Sequence, residues 1–124
     1  MTLWLAAAVI IAGGLAAVAR YLLSVWFSAD TRFPWAVLAA NVVGSALGGV
    51  VLGLGTGLPG DLQLILFTGV AGGLTTFSTF SVESVQLVLD GRSRIAALNV
   101  GVNLVAGFAV TALAYWLFAT VMVG

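Results

Sequence analysis

No cysteine and no histidine occur in this chain of 124 residues. Without cysteine there is no disulfide and no thiolate metal site, and the redox state of the compartment leaves no mark on the sequence. Without histidine, the commonest acid–base group and metal ligand is missing. Charge is nearly as scarce: four basic and four acidic residues make up 6% of the chain, against about 25% in a soluble domain. The formal net charge is zero, so nothing points to nucleic acid or to an acidic partner. No nucleophile–base set and no metal-ligand set can be assembled from what remains, and an enzyme is not expected.

What is present is apolar. The hydrophobic fraction is 62% and the mean hydropathy is +1.22. Residues 3–19, 33–60, 62–82 and 95–124 contain no Asp, Glu, Lys or Arg, and apolar runs of about 18 residues or more are candidates to cross a membrane. The parse is an all-α membrane protein, residues 1–124 forming a single integral membrane domain with helices over about 3–27, 34–54, 62–89 and 94–121. Turn signals separate the helices: Asp30-Thr31-Arg32, then Gly55-Thr56-Gly57 with Pro59-Gly60-Asp61, then Asp90-Gly91-Arg92-Ser93. Pro34 suits the first turn of a helix, where its missing N–H costs nothing. Trp4, Trp26 and Trp35 fall near helix ends, where an interfacial aromatic belt would lie. The N-terminus lacks a basic stretch before its apolar run and reads as the first membrane helix rather than a signal peptide. Arg20, Arg32, Arg92 and Arg94 all fall on or near the side that carries the first and third loops, so the positive-inside rule puts both termini outside the cytoplasm.

Polarity concentrates in one place, Gly72-Gly73-Leu74-Thr75-Thr76-Phe77-Ser78-Thr79-Phe80-Ser81. Polar or irregular backbone at membrane depth survives only where it faces protein, water or an ion. Residues 62–89 at about 1.5 Å each would run roughly 42 Å against a hydrocarbon core of about 30 Å, and a break at Gly72-Gly73 is expected to absorb the excess. Gly44 and Gly48, Gly49 and Gly53, and Gly69 and Gly73 each stand four apart, a spacing that lets helices approach closely in lipid. It fits packing within one subunit and packing between subunits equally.

Several side chains have the chemistry of an ion path. Phe77 and Phe80, three apart, share a helical face, and the positive edge of a phenyl ring can face a small anion; both also fit a core or lipid-facing role. Ser78 and Ser81 repeat that spacing, and Thr75 and Thr79 stand four apart, although such hydroxyls also satisfy their own helix carbonyls. Asn41, with Ser45 one turn on, offers two N–H donors at depth, either to an anion or as glue between helices. Asn99 and Asn103, with Gly107 one turn further, form a similar stripe on the fourth helix, and glue is the simpler role there. Arg20 and Glu83 are the charges inside predicted spans, functional candidates by default. Arg20 is also near enough to a helix end to snorkel, and Glu83 can line an aqueous vestibule or pair with an arginine.

At these residues the chain resembles the CrcB/Fluc fluoride-channel family. GGLTTFSTFS (residues 72–81) is similar to that family's third-helix signature, GGLAAVARY (13–21) to its first-helix segment, and PWAVLAANVVGSALGG (34–49) to its second. The resemblance covers nearly the whole chain in length, helix number and motif order. It implies an antiparallel, dual-topology homodimer in a prokaryotic-type cell membrane, with two narrow fluoride pathways along the subunit interface. By matching positions, Asn41 would be a fluoride ligand, Phe77 and Phe80 the aromatic pair, and Ser78, Thr79 and Ser81 the polar track. Arg20 would match the family's first-helix arginine. A structural, non-transported sodium would be held by the backbone carbonyls of Gly72 and Thr75 of each subunit. The function implied is passive export of cytoplasmic fluoride, protecting against its toxicity. Asn99 and Asn103 depart from the family's usual fourth helix and receive no pore role. The arginine bias departs too, because dual-topology members show little. The alternatives are a small multidrug-type proton-coupled exporter, which needs a carboxylate in the first helix where this chain has only Arg20, and a structural subunit of a membrane complex.

Overall fold

The computed structural model describes residues 1–27 and 32–124, so the expected Asp30-Thr31 turn lies outside the described residues. Backbone polar groups in lipid are satisfied only in helices or closed barrels, and the described chain is helical, with no strand among the described residues. Helix α1 spans Leu3–Trp26, where the Thr2 hydroxyl accepts from Leu5 N at 3.2 Å. Helix α2 spans Trp35–Leu54; Pro34 sits immediately before it, and its carbonyl accepts from Leu38 N at 3.2 Å. A 3-10 turn over Gly55–Gly57 follows. Gly55 takes the positive φ of 48° that favours glycine, and Gln63 Nε2 bridges the carbonyls of Gly55 (2.6 Å) and Leu58 (3.0 Å) to close the loop.

The next span covers Gly60–Leu89 and is composite. It comprises α3 (Gly60–Leu64), a π-helical segment (Ile65–Ala71), a single turn α4 (Gly72–Leu74) and α5 (Ser78–Leu89). Gly91 then supplies the positive φ of 75° in the turn to α6 (Ser93–Val123). Among the described residues, four stretches are therefore long and apolar enough to cross a membrane: Leu3–Trp26, Trp35–Gly57, Gly60–Leu89 and Ser93–Val123. The first and third connections lie at one end, where the Arg92 guanidinium donates to the Arg32 carbonyl.

Glycine decides the packing. Gly44 and Gly48 of α2 face the third span, against Thr75 and Phe67, whereas Gly49 and Gly53 face α6, against Thr111 and Tyr115. Gly69 and Gly73 lie on α1, against Ala12 and Gly13. All three four-apart pairs are thus used within the chain. The two halves of the third span have different neighbours: the π segment and α4 lie against α1 and α2, while α5 lies against α6. Ala16, Ala40 and Leu74 form the small buried core where α1, α2 and α4 meet. Leu74 anchors the last helical residue before the chain changes direction.

The glycine pair is not where that change occurs. Gly72 and Gly73 are helical, and the chain leaves helical geometry at Thr75, with φ −73° and ψ 151°. A Cβ on Gly73 would fall on the Gly13 backbone, so this glycine serves close helix contact.

Candidate functional site

Helical geometry stops at Leu74 and resumes at Ser78. Each backbone polar group stranded between would cost several kcal/mol in hydrocarbon, so the partners found there identify the site. Thr75 N and Thr75 Oγ1 both donate back to Ala71 O at 3.0 Å. The Thr75 carbonyl, turned away by the extended backbone, accepts from Arg20 Nη1 at 3.2 Å. Thr76 N donates to Asn41 Oδ1 at 2.8 Å. Thr76 Oγ1 in turn accepts from Thr79 N at 3.2 Å, starting the next helix. Arg20 and Asn41, from two other helices, thus hold the interruption open. Arg20 turns inward to a carbonyl instead of only reaching along its helix towards the membrane surface.

Two cavities flank Thr76. One, of about 250 Å³, contains Arg20, Tyr21, Ser24, Thr79 and Glu83 in its lining. The other, of about 290 Å³, is lined by Asn41, Ser45, Thr75, Thr76, Phe77, Phe80, Asn103 and Leu104. Phe77 lies at the interruption rather than inside a helix, 80% exposed, yet its ring stays 6.0 Å from that of Phe80 at an interplanar angle of 46°. The geometry brings Asn41, Phe77 and Phe80 to one cleft and puts Thr79 with Arg20 and Glu83 in the other. Ser78 and Ser81 border neither. Glu83 Oε2 is buried with no hydrogen-bond partner among the described residues.

Two groups add positive potential near Thr76, opposite the Glu83 carboxyl that shares the first cavity. The Arg20 guanidinium sits on the Thr75 carbonyl, and the N-terminal end of the twelve-residue α5 carries the positive end of its dipole. Among the described residues no group of three His, Cys, Asp or Glu could hold a metal, so a cation would need backbone, hydroxyl or amide oxygen. Gly72 suits that role, because Thr76 N, which would return to its carbonyl in a continuing helix, donates to Asn41 instead. Gly72 is exposed on that flank. The Thr75 carbonyl has two lone pairs, of which Arg20 takes one.

Reasoning from sequence passed over Thr76 and Ser84. Thr76 is buried, with 7% exposure, and its signal was its place between two stripe residues in the polar run. Ser84 Oγ accepts from Asn99 Nδ2 at 3.0 Å and donates to Phe80 O at 2.8 Å; one isolated serine gave no sequence signal.

Four apolar spans around a polar interruption in the third define a multi-pass integral membrane protein with a cleft of polar and aromatic side chains beside that interruption. The sequence matches, over residues 7–115, the model of a family described as "CrcB-like protein, Camphor Resistance (CrcB)". Proteins from Escherichia coli O139:H28 (strain E24377A / ETEC) and Escherichia coli O9:H4 (strain HS) are each 45% identical to it over 120 residues, spanning 90% of this chain and 91% of theirs. Both bear the name Fluoride-specific ion channel FluC. The chain belongs to the CrcB family.

Proposed function

We propose that this protein is a passive fluoride-selective channel that lets fluoride leave the cell. The observation that carries the reading is the cleft beside the interrupted third span, where Asn41 meets the paired rings of Phe77 and Phe80. A small, strongly hydrated anion gives up water only for directed donors, and amide N–H groups, hydroxyls and phenyl edges supply them without a full charge. Arg20 and the start of α5 add positive potential without blocking the path. Asn41, Phe77 and Phe80 would face the ion, and Ser78, Thr79 and Ser81 would continue the track. Arg20 and Glu83 would shape the entrance cavity.

No energy source is required. Fluoride enters acidified cells as neutral hydrogen fluoride and dissociates inside. A membrane potential of 100 mV, negative inside, is worth about 2.3 kcal/mol per charge, enough to hold internal fluoride roughly fifty-fold below external. The names of the E. coli relatives point the same way. A proton-coupled exporter would need an acidic residue in α1, whose only charge is Arg20.

The working unit in this reading is the whole chain, as one membrane domain, paired with an antiparallel second copy in a prokaryotic-type cell membrane. The carbonyls of Gly72 and Thr75 from both copies would hold a structural sodium, since a hard cation takes oxygen ligands and interrupted helices free carbonyls to supply them. Bound there, sodium would supply fixed positive charge at the contact. Efflux from liposomes containing only this purified chain, read with a fluoride electrode, tests the function. Fluoride release with no chloride release is expected; equal leakage of both, or of neither, rejects it.

A further inference from the structure

We propose that Asn99 and Asn103 of α6 are positioning residues that fix which end of the Asn41 amide faces the cleft, an inference that rests on the fluoride reading of that cleft. Asn41, Asn99 and Asn103 are all the asparagines the chain has, and all three belong to one network. Thr76 N donates to Asn41 Oδ1 (2.8 Å), and Asn41 Nδ2 donates to Asn103 Oδ1 (3.0 Å). Asn103 Nδ2 donates to Asn99 Oδ1 (2.8 Å), and Asn99 Nδ2 to Ser84 Oγ (3.0 Å). The Ser84 hydroxyl closes the series on Phe80 O at 2.8 Å.

Every bond in that series points the same way. Its two ends are main-chain groups that cannot reverse, because the Thr76 N–H only donates and the Phe80 carbonyl only accepts. Turning over Asn41 or Asn103 would set oxygen against oxygen on one side and N–H against N–H on the other, and turning over Asn99 would set its N–H group against that of Asn103 and draw the Ser84 hydroxyl off Phe80 O. The backbone at the interruption, at Asn99 and at Phe80 therefore determines the orientation of Asn41. Its oxygen is committed to Thr76 and one N–H to Asn103, which leaves the second N–H as the group available to the cleft. A free Asn41 amide could present its oxygen there and repel an anion.

Asn99 and Asn103 are suited to this task and not to binding the ion. Asn99 has 0% exposure. Asn103 borders the cleft, but its amide nitrogen donates to both Asn99 O and Asn99 Oδ1 at 2.8 Å and its oxygen is taken by Asn41. Ser84 is the most remote side chain of the series from Asn41, so breaking the series there separates positioning from direct contact.

The test uses the full chain with asparagine side-chain amides labelled with nitrogen-15, wild type against Ser84→Ala and Ser84→Thr. Each asparagine contributes one amide resonance pair. Ser84→Ala should shift the Asn41 pair although it removes an atom two amides away, and should slow fluoride efflux by roughly two- to thirtyfold, the range for mutations that act through a hydrogen-bonded network. Ser84→Thr keeps the hydroxyl and should restore both signals. An unmoved Asn41 pair in Ser84→Ala overturns the proposal, and so does wild-type efflux in that variant. A wild-type protein that passes no fluoride would instead reject the channel reading, and the resonances would still decide whether the series orients Asn41.

Discussion

At the scale of single residues, the site is a set of orphaned backbone groups and the side chains that answer them. Phe80 has a double place in it, since its ring meets Phe77 across 6.0 Å while its carbonyl ends the asparagine series. Phe80→Ile removes the ring edge and leaves the carbonyl, so it isolates the aromatic contribution. One aromatic contact is worth about 0.5–1.5 kcal/mol, and fluoride efflux should fall roughly two- to thirteenfold; wild-type flux would exclude a role for the ring edge. The polar run from Thr75 to Ser81 and the isolated Asn41 were legible because polarity is costly at membrane depth. The bond between Asn41 and Thr76 was not legible, because it joins α2 to the third span across a long stretch of sequence. Nor could sequence tell that Arg20 turns to the Thr75 carbonyl instead of outward; a helix position fixes a face, not which atom a flexible side chain reaches.

At the scale of elements, length was a poor guide and chemistry a good one. The third span covers 30 residues and is interrupted, whereas α6 covers 31 and runs unbroken. Excess length therefore did not require an interruption; α6 can be accommodated by tilt. The four spans were legible from the uncharged runs alone. The glycine spacing was legible as close contact, but its partners were not, because a glycine carries no side chain to reveal which neighbour it meets. That difference is measurable. A Cβ at Gly73 would meet Gly13 Cα at 2.9 Å and Ala16 Cβ at 3.0 Å, whereas at Gly101 nothing lies within 4 Å. Gly73→Ala should destabilise the fold by about 1–3 kcal/mol through overpacking against backbone. Gly101→Ala should be neutral or stabilising by up to about 1 kcal/mol from helix propensity. Chemical denaturation in detergent compares the two, and equal effects would mean that α1 and the third span do not pack as closely as described.

At the scale of the whole molecule, one chain leaves its site half walled. Phe77 is 80% exposed and Gly72 is open on its flank, while the cleft beside them holds the groups an anion would need. In the proposed reading a second copy would narrow the path, and a cation shared between the Gly72 and Thr75 carbonyls of both copies would bind only the paired state. Mass action then sets the size of the effect. At a free sodium concentration of about 100 times its dissociation constant, a ligand specific to one state favours it by about 2.7 kcal/mol, close to a hundredfold in the dimerisation constant. Exchanging sodium for a bulky organic cation at constant ionic strength should therefore raise the monomer fraction of dilute detergent-solubilised protein, read by single-molecule photobleaching. The carbonyls bear no proton to lose, so the shift should be the same at pH 6 and pH 8. A monomer fraction that ignores the cation would remove sodium from the proposed assembly while leaving untouched the proposed fluoride role of the cleft that Asn41, Phe77 and Phe80 line within one chain.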